Sequence, residues 1–394
     1  MLVLIVGGGP AGVATSLSLA HSAQVPTKTL FIDNGDPARF RVGESLPPEA
    51  LKILKFLCGP SSLVCRSLGQ DHSPSVGKIS LWGSTSPETV DSIINPFGAG
   101  WHLDRALFQK QLLGECKSRT SPGSREFLAA TLVDLVPRPC DGGWVAQLRT
   151  VPDGNLVSVE CGWIVDATGR LAAVSKKAGA KSFASDHLVA LYTIFSVDGA
   201  RDQDGRTVVE AVPHGWFYTA LLPRHRRLFV FHTDPKSPSS QQAATAEGFV
   251  RLLEETSTLV RSFLPGKHLG GPLFPPRRTA ANSTRLSSSV SLQHRWAAVG
   301  DAVLAFDPLS SQGMMTALEC GFLLGRALAH SAAKTEEGRQ QLLRNLVAYE
   351  AHLAEIHSRY VEGLKAHYSR ENRFPASPFW ASRHQGQATS PSHL

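Results

Sequence analysis

Two stretches of the chain hold residue types whose spacing can do chemistry. The first is Gly7-Gly8-Gly9-Pro10-Ala11-Gly12, which fits G-x-G-x-x-G through Gly7, Gly9 and Gly12. In that pattern the first glycine allows a tight turn, the second lets a pyrophosphate approach the backbone, and the third lets helix and strand pack closely. An acid, Asp33, follows about 20 residues later at the end of the next apolar run, where it can accept hydrogen bonds from an adenosine ribose. Asp33 suits an unphosphorylated ribose, so the expected dinucleotide is FAD or NAD rather than NADP. The second stretch covers residues 297–329, AAVGDAVLAFDPLSSQGMMTALECGFLLGRALA. It reads as a buried strand, a Gly300-Asp301 turn, a loop carrying Asp307, and a helix. Pro308 disfavours helix at Asp307, so Ser310 and Ser311 are the expected N-caps and the helix starts near Gln312 or Gly313. Free N–H groups and partial positive charge at such a terminus suit an anion. In a flavoenzyme that anion is the pyrimidine edge of a reduced isoalloxazine. Gly321 and Gly325 lie one helical turn apart and open the helix to another backbone.

Other residues gain meaning from their positions. Asp104 is placed to cap a helix running to about Arg119, and Arg105 sits in its first turn. A cation there opposes the helix dipole, which suggests an anionic partner such as a pyrophosphate. Glu44, in RVGESLPP, reads as a helix-capping or loop-bracing carboxylate. The DATGR run at residues 166–170 ends a strand and looks like a crossover near a nucleotide. Lys78, His102 and His232 are the candidate acid–base groups, each with an ordinary structural role as its alternative.

The elements that position these residues form an α/β chain. Residues 2–6 read as a buried parallel strand, and 13–21 as the helix after the glycines. Residues 127–136, 143–150 and 156–165 read as strands joined by hairpin turns. Residues 185–234 change to short alternating strands rich in aromatics, an antiparallel substrate sheet with Trp216, Tyr218, Phe231 and His232 as candidate cavity wall. Residues 247–264 and 334–370 read as helices. The expected division is a FAD-binding unit from 1–75, 98–184 and 277–330, substrate-sheet segments 76–97 and 185–276, C-terminal helices 331–384 and a disordered tail 385–394.

Composition excludes several classes. The chain has 394 residues and a formal charge of +7, but its basic residues are scattered, so no nucleic-acid partner is expected. Its six cysteines form no C-x-x-C pair and no histidine cluster has zinc-ligand spacing, so no metal site is expected. Free thiols and an N-terminal apolar run too short for a signal sequence point to the cytoplasm. Glu319 and Arg326 exclude a membrane span in the helix after Gln312.

GGGPAG, VGESLPP, GWHLDR, VDATGR, VGDAVLAFDPLSSQGM and RFPASPFWASRH, in that order, resemble the FAD-dependent monooxygenase and halogenase superfamily over nearly the whole chain. The nearest look is to a halogenase-like branch of flavoprotein monooxygenases. Some of its members mature tryptophylquinone amine dehydrogenases and amino-acid oxidases by oxygenating a tryptophan of the partner protein. The resemblance implies a doubly wound, Rossmann-like FAD-binding domain with an inserted antiparallel β-sheet substrate domain and a C-terminal helical segment. It implies that Gly7, Gly9, Ala11, Gly12, Asp33 and Arg41 hold the ADP half of FAD. Arg105 and Asp301 hold the pyrophosphate and ribityl region, and Gly313 and Met314 present N–H groups to the isoalloxazine. The expected activity is hydroxylation of an electron-rich aromatic through a flavin hydroperoxide, the substrate being a small molecule or a partner polypeptide. The flavin is reduced by NAD(P)H directly or through a partner flavin reductase. Two departures bear on halogenation. The W-x-W-x-I-P motif of tryptophan halogenases is Trp216-Phe217-Tyr218-Thr219-Ala220-Leu221 here, and their loop glutamate is Ser310. Lys78, four residues before Trp82, keeps their lysine spacing. A halogenase is therefore the alternative; an isoprenoid reductase and a flavin-bound escort protein are the others.

Overall fold

Leu2–Val6 is apolar at every position and sits at the centre of an eight-stranded sheet. It pairs in parallel with Lys28–Asp33 on one side and Trp163–Asp166 on the other. Strands Arg125–Pro137 and Trp296–Ala298 extend the parallel core outward. Trp144–Thr150, Leu156–Cys161 and Val290–Ser291 add antiparallel edges. The computed structural model of the chain describes residues 1–23, 27–34, 42–119, 125–139, 142–266 and 270–385. Arg41, Cys140 and the tail beyond Gln385 lie outside the described residues.

The stretch expected as one strand over 156–165 is two. Gly162 divides them: its N–H donates to Leu2 O at 2.9 Å, and a Cβ there would stand 2.4 Å from the Met1 side chain. The break turns the chain from an antiparallel hairpin into the parallel core.

A second, seven-stranded sheet runs Arg277–Ala280, Val189–Ser196, Arg226–Thr233, Gly215–Leu222, Thr207–Val212, Gly77–Leu81, Glu88–Asp91. It is antiparallel as expected except for one pair, Thr207–Val212 with Gly77–Leu81, which is parallel. That hairpin enters from a distant part of the chain, so its direction is set by a crossover and not by a turn. One face packs Phe217, Phe229 and Phe231 against Phe249, Leu252 and Leu253 of helix Ala246–Thr256. The other packs Trp82, Trp216, Tyr368 and Trp380. The helix expected over 247–264 stops at Thr256. The buried Glu210 carboxylate takes the N–H groups of Thr258, Leu259 and Val260 at 2.7, 3.0 and 2.8 Å, and a short 3-10 turn follows. A carboxylate that satisfies three successive N–H groups removes the reason for the helix to continue.

Helix Pro10–Ser22 packs on helix Gly313–Leu328. A Cβ at Gly321 would meet Ala11 O at 2.5 Å, and one at Gly325 would meet Thr15 O at 2.6 Å. Later residues of one helix meet later residues of the other, so the two run parallel. Helix Glu336–Ser369, capped by Thr335, packs on helix Gly313–Leu328, and Pro378–Gln385 closes over the second sheet. Among the described residues no helix is long and apolar enough to cross a membrane, no metal-holding cluster occurs, and Cys58, Cys65, Cys116, Cys161 and Cys320 are free thiols.

The helix contact makes a signed prediction. Gly325→Val must push backbone against backbone and should destabilise the protein by about 1–3 kcal/mol. Gly363→Ala, on an exposed helical face with nothing within 4 Å, should stabilise by about 0.5–1 kcal/mol. Urea-unfolding midpoints of the two variants should move in opposite directions.

Candidate functional site

The glycine turn is held from within. Gly7 has φ +115° and a Cβ there would strike Ala167 O at 2.2 Å; a Cβ at Gly12 would strike Gly7 O at 2.0 Å. At Gly9, by contrast, a Cβ would have nothing within 4 Å. Gly9 is also the N-cap of helix Pro10–Ser22, and no side chain caps that terminus. Ala11 lies against Gly300, so its side chain is engaged in packing. Asp33 Oδ1 accepts from Gly8 N at 3.2 Å. Gln109, which sequence reasoning missed, donates to Gly8 O through Nε2, while its buried Oε1 has no partner among the described residues. Nothing but its place one turn after Arg105 could have singled it out.

The second stretch supplies the opposite wall. Strand Trp296–Ala298 ends in Gly300, at φ +63°, and a 3-10 turn carrying Asp301. The Asp301 side chain keeps 40% of its surface, yet desolvation raises its pKa while Arg170 and Arg105 oppose the shift. A group that is both accessible and enclosed by protein lines a cleft. Arg105 begins helix Arg105–Ser118, which Asp104 caps through Leu107 N at 3.1 Å. Arg170 stands 3.7 Å from Asp301 and donates to Phe306 O at 2.8 Å, which ties the DATGR run to the loop before the last site helix. Asp166 itself faces inward and accepts from Thr168 and Ser175.

Ser310 and Ser311 do not cap helix Gly313–Leu328. Asp307 takes the turn, accepting from Leu309 N at 2.9 Å, and Ser310 Oγ folds back to donate to Asp307 O at 2.9 Å. Ser311 is left-handed, at φ +52°. The N-cap is Gln312 and no side chain caps the helix, and a Cβ at Gly313 would have nothing within 4 Å. The N–H groups of Gly313 and Met314 are thus left without a side-chain acceptor at the first turn. Distant residues set this loop: Tyr368 donates to Asp307 Oδ2 at 2.8 Å, and Asp307 N donates to Tyr360 OH at 2.9 Å.

The second sheet reaches the Glu44–Ser45 segment through Tyr218. Tyr218 OH donates to Glu44 Oε1 and lies 3.0 Å from Ser45 Oγ. Glu44 therefore bridges to the sheet instead of capping the helix at Ala50–Cys58. His102 is fully buried and its pKa is lowered to about 4 by burial, so it is neutral. Its Nδ1 lies 3.2 Å from Leu221 O and its Nε2 2.9 Å from Thr207 Oγ1. His232 is neutral for the same reason, with a pKa lowered to about 3, and stacks on Trp216 with ring centroids 3.5 Å apart. Its buried Nδ1 has no partner among the described residues. Lys78 is half-buried; burial, then the nearby Arg370, lower its pKa. Trp82 is core: its Nε1 donates to His367 O at 2.9 Å. Of the four aromatic candidates for a cavity wall, Phe231 lies on the far face and Trp216 and His232 are buried; Tyr218 alone of the four keeps accessible surface.

Asp307 gives a pH prediction. Burial raises its pKa to about 6, ahead of its bonds to Leu309 and Tyr368; Asp186 adds to the rise and Arg383 opposes it. With the folded value above the unfolded one, its stabilising contribution is full below about pH 4 and is lost as pH rises through 6. The stability of the native protein relative to Asp307→Asn should therefore fall between pH 4 and pH 7, by on the order of 3 kcal/mol. Urea midpoints of both proteins at the two pH values measure it.

Known proteins share this frame. The FAD-dependent oxidoreductase LodB of Marinomonas mediterranea is 29% identical over 384 residues, covering 97% of this chain and 96% of that one. The flavin-dependent halogenase CmlS superposes with a TM-score of 0.78 at 22% identity, over 97% of this chain and 67% of that one. The peptidyl tryptophan dihydroxylase QhpG does so with a TM-score of 0.68 at 19% identity, over 97% and 78%. At those identities the two superpositions establish the fold. Residues 76–393 match the tryptophan halogenase family model, and with it the chain belongs to that family and is a flavin-dependent oxidoreductase.

Proposed function

We propose that the chain is an FAD-dependent monooxygenase that hydroxylates an electron-rich aromatic, either a small molecule or a tryptophan side chain of a partner polypeptide. The residues fit FAD. Two parallel helices point uncapped N-termini the same way, with unfilled space beside Gly9 and Gly313. Gly7, Gly9, Ala11, Gly12 and Asp33 hold the ADP half, Ala11 through its backbone. Arg105 and Asp301 hold the pyrophosphate and ribityl region, and Gly313 and Met314 give N–H groups to the ring. Reduced FAD supplies the activation of oxygen; NAD(P)H or a partner flavin reductase supplies its electrons. The protein contributes position and exclusion of water. QhpG, a hydroxylase of peptidyl tryptophan by its name, supports the substrate class.

The observation that carries hydroxylation over halogenation is the setting of Lys78. It pairs with Thr207 two strands away from Tyr218, beside Arg370 and His367, and Trp82 is locked in the aromatic core. The loop position where halogenases carry a glutamate holds Ser310, turned onto Asp307. Halogenation stays the second reading because the Lys78 amine has no ion pair among the described residues and burial, then Arg370, lower its pKa.

Two outcomes test this. Gly9→Val should fold with an unchanged unfolding midpoint, since no protein atom lies in the way, yet purify colourless and take up no FAD; Asp301→Ala should bind FAD more weakly. With reduced FAD and isotopic oxygen, the product should gain labelled oxygen without a chloride or bromide requirement, and Lys78→Ala should keep most activity. A halogenated product that disappears in Lys78→Ala would establish the second reading instead. No turnover with any reductant would leave a flavin-bound escort.

A further inference from the structure

A cavity of about 790 Å³ lies at the end of the eight-stranded sheet away from the cofactor residues. Leu2 and Trp163, which line it, are the first residues of two neighbouring parallel strands, and Arg295 immediately precedes a third. Gly7, Ala167 and Gly300 follow the opposite ends of the same strands. Strand Leu2–Val6 spans roughly 15 Å, so this cavity is separate from the dinucleotide turn.

Its walls are unevenly charged. Arg138, Arg295, Lys334 and Arg339 line it with a single carboxylate, Glu160. Glu160 is taken by Arg138 at 2.6 Å, and Arg339 bonds to Glu336 at 3.1 Å. Arg295 and Lys334 make no ion pair among the described residues. Leu292, Leu342 and Leu343 give the same cavity an apolar side. Ser331, also on its wall, is 9% exposed, and its hydroxyl has no partner among the described residues.

The placing of Arg295 is specific. Its φ is +47°, a left-handed conformation that costs a residue with a Cβ on the order of 1 kcal/mol. Arg295 closes the hairpin between Val290–Ser291 and Trp296–Ala298, where glycine would serve the turn better. The backbone is nevertheless pinned there. Arg295 O accepts from Ile164 N at 3.1 Å, and the preceding carbonyl, His294 O, accepts from Trp144 Nε1. A Cβ on Gly142 would stand 3.7 Å from Arg295 Nε, so a second hairpin borders the guanidinium. The chain thus holds an arginine in a glycine conformation beside a cavity that already contains a second unpaired cation.

We propose that this cavity binds a small organic anion, with a phosphate head on Arg295 and Lys334 and an apolar body on Leu292, Leu342 and Leu343. Two unpaired cations match the near-double charge of a phosphate monoester at pH 7. The volume falls within the range of small-molecule sites, a few hundred to about 1,000 Å³. The inference is independent of the hydroxylase reading, since neither flavin nor reacting atoms enter it.

The test uses octyl phosphate, which has both halves, against octan-1-ol and inorganic phosphate, which have one each. None is an aromatic that the proposed active site would take. Calorimetric titration into the FAD-loaded full chain should show octyl phosphate binding one to one, at least about 10-fold tighter than either half, as a charge-assisted hydrogen bond allows. Arg295→Gln and Lys334→Gln should each weaken octyl phosphate by about 3- to 10-fold and leave octan-1-ol unchanged. Leu343→Ser, at a position already 45% exposed, should weaken octyl phosphate and octan-1-ol and leave inorganic phosphate unchanged. Arg359→Gln, about 30 Å along the same helix from Arg339, should alter none of them. FAD content should be the same in all four variants. Octyl phosphate binding no tighter than octan-1-ol, or binding untouched by both Arg295→Gln and Lys334→Gln, would overturn the proposal. So would an equal loss in Arg359→Gln, which would mean attraction to the net charge of the chain and no site.

Discussion

The close approach of helix Pro10–Ser22 to helix Gly313–Leu328 is the constraint on which the rest depends. Gly321 and Gly325 let the backbones nearly touch, with Ala11, Thr15 and Ser18 as the facing residues. Because the helices are parallel, their positive ends emerge together. Like ends side by side repel, and an anion between them removes the repulsion. Both termini lack a side-chain cap, so the N–H groups that a serine or aspartate would ordinarily take stay available. The two uncapped helix termini, one near the start of the chain and one about 300 residues later, are brought together by one small-residue contact.

What was legible in the sequence follows from how local each determinant is. The glycine turn, the Asp104 cap and the opening between Gly321 and Gly325 depend on neighbours within a turn or on backbone geometry, and the structure has them as read. The short strands after residue 185 likewise announce an antiparallel sheet, which the structure buries on both faces. The misreadings have distant partners. The serine caps yield because Tyr360 and Tyr368, from the C-terminal helix, hold Asp307. The helix after Thr245 ends early because Glu210 sits beneath its end. Gly162 breaks a strand because Leu2 lies beside it. Of the two roles read for Glu44, helix cap or loop brace, the cap yields because Tyr218, 174 residues away, takes Oε1, while Oε2 braces the loop at Gly43 N. No spacing rule reaches such pairs.

The C-terminal helix joins the cofactor side to the sheet. Tyr368 donates to Asp307 in the loop before Gly313 and accepts from Trp216 Nε1 at 3.2 Å, and Trp216 stacks on His232. Trp380 donates to Val212 O at 2.9 Å from the segment beyond. These bonds are buried, and a buried partner left alone would carry its full desolvation cost. The loop that presents the helix N–H groups therefore cannot move without disturbing the sheet face, so the helix termini and the sheet keep one spacing.

That rigidity extends to a carboxylate and a phenol, Glu44 and Tyr218, which hold the short strands against the sheet. Tyr218 is fixed at its hydroxyl by Glu44 and Ser45 and along its strand by Val230 and Val209, its paired neighbours. His102, on the strand paired with Ser45, fixes Thr207 in the same way. Two polar bridges thus tie the short strands beside helix Gly313–Leu328 to the seven-stranded sheet, and each has its proton direction set by a group that can only accept. Replacing either bridge by apolar contact would preserve the packing and lose the direction, and direction is what fixes one register of strand against sheet.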